Sequence, residues 1–93
     1  MSSFGGETPV DLYNSRIGGA GIASYTVPLG QYAKVKFILS GPNSPSGMFI
    51  NGLSGGGVES LTEYIFHSGD VLTFGDTSSD KGSIYVTLFN NPS

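Results

Sequence analysis

Two long runs of alternating apolar and polar residues are the clearest pattern in this chain. Within residues 32–39 the alternate positions Ala33, Val35, Phe37 and Leu39 are apolar, and two lysines lie between them. Within residues 83–89 three aliphatic residues face one way, and Tyr, Thr and Phe side chains face the other. Successive strand residues point to opposite faces of a sheet, so both runs are predicted to be strands with a buried face.

Four shorter runs rich in β-branched and aromatic residues are bounded by turn-forming residues, which predicts further strands. They cover residues 22–27, 48–51, 61–67 and 70–74. The dipeptide Ser68-Gly69 predicts a tight hairpin between the last two, and Asn51-Gly52 predicts another turn. We expect a mobile loop over the glycines of residues 54–57 and no helix of ordinary length. The predicted fold is therefore all-β, a small antiparallel β-sandwich.

Residues 1–21 differ from the rest of the chain because their apolar residues are irregularly spaced. They contain five glycines, and their apolar residues match neither a helical nor a strand period. We expect an extended N-terminal arm over residues 1–21, followed by a β-sandwich domain over residues 22–93. The apolar side chains expected to hold the arm against a neighbouring chain are Phe4, Val10, Leu12, Tyr13 and Ile17.

The composition favours a shared surface. The chain has 93 residues, enough for one domain with a small core, of which only 12% are charged. There is no cysteine to form a stabilising disulfide, and six Phe and five Tyr residues are more than one small core readily hides. Four basic residues and a net charge of −3 make nucleic acid an unexpected partner.

No arrangement of residues indicates catalysis, a metal or a cofactor. His67 is the only histidine, and a metal or nucleophilic site needs convergent partners. The glycine clusters at residues 18–21 and 54–57 lack the Lys-Ser/Thr ending of a phosphate loop and are interpreted as flexible linkers. The acidic loop from Asp76 to Asp80 does not have the spacing of an EF-hand, so we expect a solvated loop.

Two stretches resemble the C1q and tumour-necrosis-factor family of jelly-roll domains, of the compact kind found in bacteriophage virion proteins. Tyr25-Thr-Val-Pro-Leu-Gly-Gln-Tyr32 is similar to that family's entry into a core strand, and Phe66-His-Ser-Gly-Asp-Val-Leu-Thr-Phe74 to its Gly-Asp hairpin. The family's domains are longer, so the resemblance implies a reduced jelly roll with fewer or shorter strands. Independently of the family, Pro28 and Gly30 are suited to a sheet corner, and Asp70 can accept backbone N–H groups at a turn.

The resemblance implies a homotrimer whose protomers pack aromatic and aliphatic side chains around an axis. The aromatic residues expected at this interface or in the core are Tyr25, Tyr32, Phe37, Phe66, Phe74, Tyr85 and Phe89. It also suggests a virion structural protein, a capsid cement or decoration protein that binds the major capsid or other virion proteins. The alternative is a carbohydrate- or receptor-binding module of a phage fibre, and a small hydrolase is the third class.

The start of the sequence shows neither a basic region nor an apolar run, and no segment reaches the length of a membrane span. We therefore expect synthesis in the host cytoplasm and no membrane partner.

Overall fold

The computed structural model describes residues 8–39, 47–54, 59–75 and 77–92, and these contain eight β-strands and no helix. Three strands have nine residues each and the other five have two to four. In chain order they are β1 (Pro9–Ile17), β2 (Ser24–Thr26), β3 (Gln31–Leu39), β4 (Met48–Ile50), β5 (Leu53–Ser54), β6 (Tyr64–Phe66), β7 (Val71–Phe74) and β8 (Gly82–Asn90).

The strands form two four-stranded antiparallel sheets, which confirms the predicted β-sandwich. The first sheet has the order β1-β8-β3-β6 and the second the order β2-β7-β4-β5. The chain pairs like a long hairpin folded over on itself, with β1 on β8, β2 on β7, β3 on β6 and β4 on β5. Additional β3–β8 and β4–β7 pairings complete the sheets, and this eight-strand arrangement is a jelly roll. Its small size comes from short strands.

The core lies between the sheets and follows the predicted alternation. Ala33, Val35 and Phe37 of β3 are fully buried, and Ile84, Val86 and Leu88 of β8 lie beside them. The second sheet contributes chiefly Met48, Leu72 and Phe74. The Phe37 ring meets those of Tyr64 and Phe74 edge to face, at centroid distances of 5.6 and 5.9 Å. Such aromatic contacts add about 0.5–1.5 kcal/mol each beyond the burial of area.

The expectation of an arm over residues 1–21 needs correction, because β1 is a full strand of the first sheet. Pro9–Ile17 pairs with β8 along its length, and a shift in register between Pro9 and Asp11 interrupts its alternation. β1 is also an edge strand, so most of its side chains are exposed. A bulge and one solvated side together explain why the spacing matches no regular period. The first seven residues lie outside the described ranges.

The glycines at residues 18–21 are close-packing positions, so their interpretation as a flexible linker is wrong. Both Gly18 and Gly19 have positive φ, and a Cβ atom on Gly18 would overlap the carbonyl oxygen of Ser79. The Gly19 N–H donates to the Thr77 carbonyl at 3.1 Å. The β1–β2 connection is thus packed tightly against the β7–β8 connection. The other glycine cluster, in the predicted mobile loop, lies largely outside the described residues.

The predicted sheet corner is confirmed, but the predicted Ser68-Gly69 hairpin is wrong. Gly30 has φ +82° where the chain passes from β2 in the second sheet to β3 in the first. Gly69 has φ +81° and Asp70 accepts the His67 N–H at 2.8 Å, as expected of a turn. This turn, however, carries the chain from β6 in one sheet to β7 in the other. The tight hairpin is β4–β5, where Asn51-Gly52 has two positive φ values.

Candidate interaction surface

The outward side of the first sheet is the longer of the two outward sheet faces, because three of its strands have nine residues each. Alternate residues of β3 and β8 are buried, so the residues between them point away from the core. The register places Leu12, Thr87, Lys34 and Ile65 in one row across all four strands. We call this side the outer face. Its other members include Asn14, Arg16, Tyr32, Lys36, Ile38, Ser83, Tyr85 and Phe89.

Exposed apolar side chains are spread over the outer face. Leu12 is 71% exposed, Ile65 54%, Ile38 47% and Tyr85 44%, each on a different strand. Scattered exposed hydrophobic residues are normal on a soluble protein, but several on one sheet face are typical of an interaction site.

An aromatic pair orders one end of the outer face. The rings of Tyr32 and Phe89 are stacked, with centroids 5.1 Å apart and planes 13° from parallel. The Lys34 ammonium lies 5.1 Å from the centroid of the Phe89 ring, within cation–π range. The Phe89 ring therefore restrains the position of the Lys34 ammonium group.

Positive charge is concentrated on the outer face. Three of the chain's four basic residues, Arg16, Lys34 and Lys36, occupy outward positions in the register. Arg16 forms an exposed salt bridge with Asp80, so its charge is largely compensated. Lys34 and Lys36 add two further positive charges to this face of a chain whose net charge is −3.

The predicted arm residues have different environments. Phe4 lies outside the described residues, while Val10 and Leu12 are exposed on β1. Tyr13 is half-buried and stacks on Tyr25 at 5.1 Å. Ile17 is completely buried in the chain's own core, so it offers no surface to a neighbour.

Most of the predicted aromatic residues are at least half-buried. Phe37, Phe66 and Phe74 belong to the core between the sheets, and Tyr25 packs against it. On the outer face Phe89 is buried and Tyr32 is half-buried, whereas Tyr85 is exposed. The ten aromatic residues within the described ranges are thus accommodated better than the composition indicated, because eight of them pack ring against ring. Most exposed large apolar side chains in these ranges are aliphatic instead. Sequence reasoning missed Ile38 and Ile65, although the alternation of β3 places Ile38 on the same side as both lysines.

The free edge of β1 is partly protected by its own side chains. Ile22 N–H donates to the Arg16 carbonyl at 2.8 Å, so the backbone groups of Arg16, Asn14 and Leu12 point away from β8. The Asp11 carboxylate accepts the Leu12 N–H at 2.9 Å, and the Ser15 hydroxyl donates to Arg16 O at 3.1 Å. The Leu12 N–H and the Arg16 carbonyl are therefore engaged within the chain, which makes β1 a less regular edge for another strand to pair with.

The stacked Tyr13 and Tyr25 form a second feature, on the inward side of β1. Burial raises the pKa of Tyr25 above its ordinary value of 10.0, and the neighbouring Tyr13 and Asp11 raise it further. Phenol groups close to a carboxylate can both stack and hydrogen-bond, which is the chemistry of many small-ligand sites.

Other chemistry is sparse in the described part of the chain. No group of three or more His, Cys, Asp or Glu residues is arranged to hold a metal ion there. His67 is exposed beside the turn between the sheets, where its backbone N–H is bonded to Asp70. Asp76 of the acidic loop is outside the described residues, and no described helix has the length and apolarity needed to cross a membrane.

Comparisons with protein-family models, curated proteins and solved structures found no significant match to this chain.

Proposed function

We propose that this chain is a non-enzymatic structural protein of a bacteriophage virion, a homotrimeric capsid cement or decoration protein made in the host cytoplasm. It binds copies of itself and the major capsid protein or another virion protein. The observation that carries this proposal is the outer face, where four exposed apolar side chains surround two lysines. The jelly-roll strand order and the resemblance of residues 25–32 and 66–74 give further support.

The size of the outer face supports assembly of several copies. Three strands of nine residues and one of three, about 4.8 Å apart, cover roughly 500 Å². A standard interface buries about 800 Å² on each partner, so one face alone provides a weak contact. Three linked copies that engage a symmetric particle would multiply their weak contacts into stable attachment.

Mass spectrometry and antibody labelling of purified virions from the source phage test the virion proposal. The chain is expected in intact particles, with labelling on the outside of the capsid. Its presence in infected cells and absence from purified virions would contradict this proposal.

The alternative is a carbohydrate- or receptor-binding module, and the Tyr13–Tyr25 stack beside Asp11 is the observation that favours it. A glycan array distinguishes the two proposals. Structural adhesion predicts no specific glycan binding, whereas glycan binding that Tyr25→Ala removes would favour the alternative. Tyr85→Ala, on the outer face of the first sheet and away from the Tyr13–Tyr25 stack, is the matched control.

A further inference from the structure

We propose that the segment of residues 59–63, the acidic turn, docks on the outer face of the next copy of the chain. This inference rests on the proposed self-association and names its two contact surfaces. The segment precedes β6 and carries Glu59, Leu61 and Glu63, all of them exposed.

The acidic turn presents an apolar side chain in a conformation that leucine rarely adopts. Leu61 has φ +66° and is 70% exposed, and its N–H donates to the Phe37 carbonyl at 2.8 Å. Positive φ is uncommon for a bulky residue and costs about 1–2 kcal/mol. Burial within the chain does not compensate for this strain, since most of the side chain is in solvent. A contact with a second molecule would compensate for it.

The charges of the two surfaces are complementary. Glu59 and Glu63 form no side-chain ion pair with other described residues, and neither does Lys36 on the outer face. Glu63 directly precedes Tyr64, which pairs with Val35, so it lies near Lys36 of the same copy, but no salt bridge joins the two. The other acidic groups of the described chain are engaged, since Asp11 and Asp70 accept backbone N–H groups and Asp80 pairs with Arg16.

The lysines also determine which surfaces can meet. If two outer faces packed against each other about a twofold axis, Lys34 and Lys36 of both copies would be brought together, and like charges repel. A contact between the outer face and the acidic turn instead joins opposite charges. This contact is heterologous, because it uses two different surfaces of each copy. Such contacts form a ring, here a trimer, when the rotation between neighbouring copies closes, and an open filament when it does not. Leu61 would then be buried among Ile38, Ile65 and Tyr85 of the next copy.

Sedimentation equilibrium on charge-reversed chains tests this contact. We expect the wild type to form trimers of the 9.6 kDa chain at micromolar concentration. Lys34→Glu with Lys36→Glu should weaken association about tenfold or more, and so should Glu59→Lys with Glu63→Lys. All four substitutions in one chain should restore trimers, since the contact is re-formed with reversed signs and the net charge is unchanged. Asp11→Lys, elsewhere on the chain, should leave association unchanged.

Leu61→Gly provides a second readout that does not depend on charge. The variant relieves the positive-φ strain, so its folded monomer should be at least as stable as the wild type while association falls about tenfold. Leu29→Gly, which removes another exposed leucine, should not change association. Circular dichroism verifies that each variant is folded.

The possible failures are distinguishable. A wild type that stays monomeric up to about 100 μM overturns the inference. The inference is also overturned if every charge-reversed variant still forms trimers, although the proposed self-association would then stand. Loss of association that the fourfold variant does not restore refutes the pairing of these two surfaces. Absence from virions refutes the virion proposal but leaves the contact between copies standing.

Discussion

Gly82→Ala should destabilise the fold much more than Gly52→Ala, although both glycines have positive φ. Gly82 begins β8 with φ +130°, and it lies opposite Leu39 of β3 and Ile17 of β1. A Cβ atom there would overlap the Ile38 carbonyl oxygen and lie 2.8 Å from the Leu39 Cα atom. At Gly52, with φ +84°, a Cβ atom meets nothing within 4 Å. The comparison therefore separates steric overlap from backbone strain.

The expected magnitudes follow from these environments. Gly52→Ala carries the strain of positive φ alone, about 1 kcal/mol, which lowers the Tm of a domain this size by about 4–8 °C. Gly82→Ala adds displacement of β8 from β3, because the overlapping atoms belong to the backbone and cannot rotate away. We expect a total loss of at least about 3 kcal/mol, or a fall in Tm of more than about 12 °C.

Thermal and urea unfolding followed by far-UV circular dichroism measure both effects. The reasoning is refuted if the two variants lose the same stability within about 0.5 kcal/mol, since β3 and β8 would then not approach each other as closely as the register requires.

Three further predictions concern side chains at the second sheet and at the loops. Asn51→Ala should lower the free energy of unfolding by about 2–3 kcal/mol, and Asn51→Gly by about 1 kcal/mol less. Both variants lose the hydrogen bonds to the Val71 N–H and the Asp70 carboxylate, but only alanine is strained at φ +53°. Urea unfolding measures the two losses. Since Tyr25 has a raised pKa in the folded state, its contribution to stability should be constant below about pH 10 and be lost at higher pH, and Tyr25→Phe should reduce the alkaline loss of stability. Asp80→Asn should change stability by less than about 1 kcal/mol, because its ion pair is exposed.

Each of these predictions has a contradicting result. Equal losses of stability in the two Asn51 variants would mean that the positive φ at position 51 does not strain an alanine. An unchanged alkaline profile in Tyr25→Phe would assign the loss to other tyrosines. A loss above about 2 kcal/mol for Asp80→Asn would show that the Asp80 carboxylate is more than a surface partner of Arg16.

The sequence predicts those parts of the fold that depend on local alternation. Residues 32–39 and 83–89 each have a continuous period of two, and β3 and β8 bury the predicted faces. The corner at Pro28 and Gly30 is also local, because proline and glycine restrict the backbone directly.

Long-range pairing is the part that could not be predicted. Ser68-Gly69 has the residues of a hairpin turn, but whether flanking strands pair or separate into two sheets depends on partners far along the chain. β1 shows the same limit, since its bulge and exposed edge remove the period on which prediction relies. The outer face combines both cases. The outward position of Lys34 and Lys36 follows from the alternation along β3. The proximity of Leu12 and Ile65 to these lysines depends instead on the register of all four strands.

Hydroxyl-radical footprinting of the assembled protein tests most directly whether the outer face is the interaction surface. Tyr85 on the outer face is 44% exposed, and Phe49, on the outward side of the second sheet, is 39% exposed, so the two rings are matched probes. As the concentration rises through the range of assembly, we expect oxidation of Tyr85 to fall severalfold while Phe49 keeps its reactivity. A Tyr85 ring that stays fully reactive at every concentration, or protection of Phe49 alone, would contradict the account.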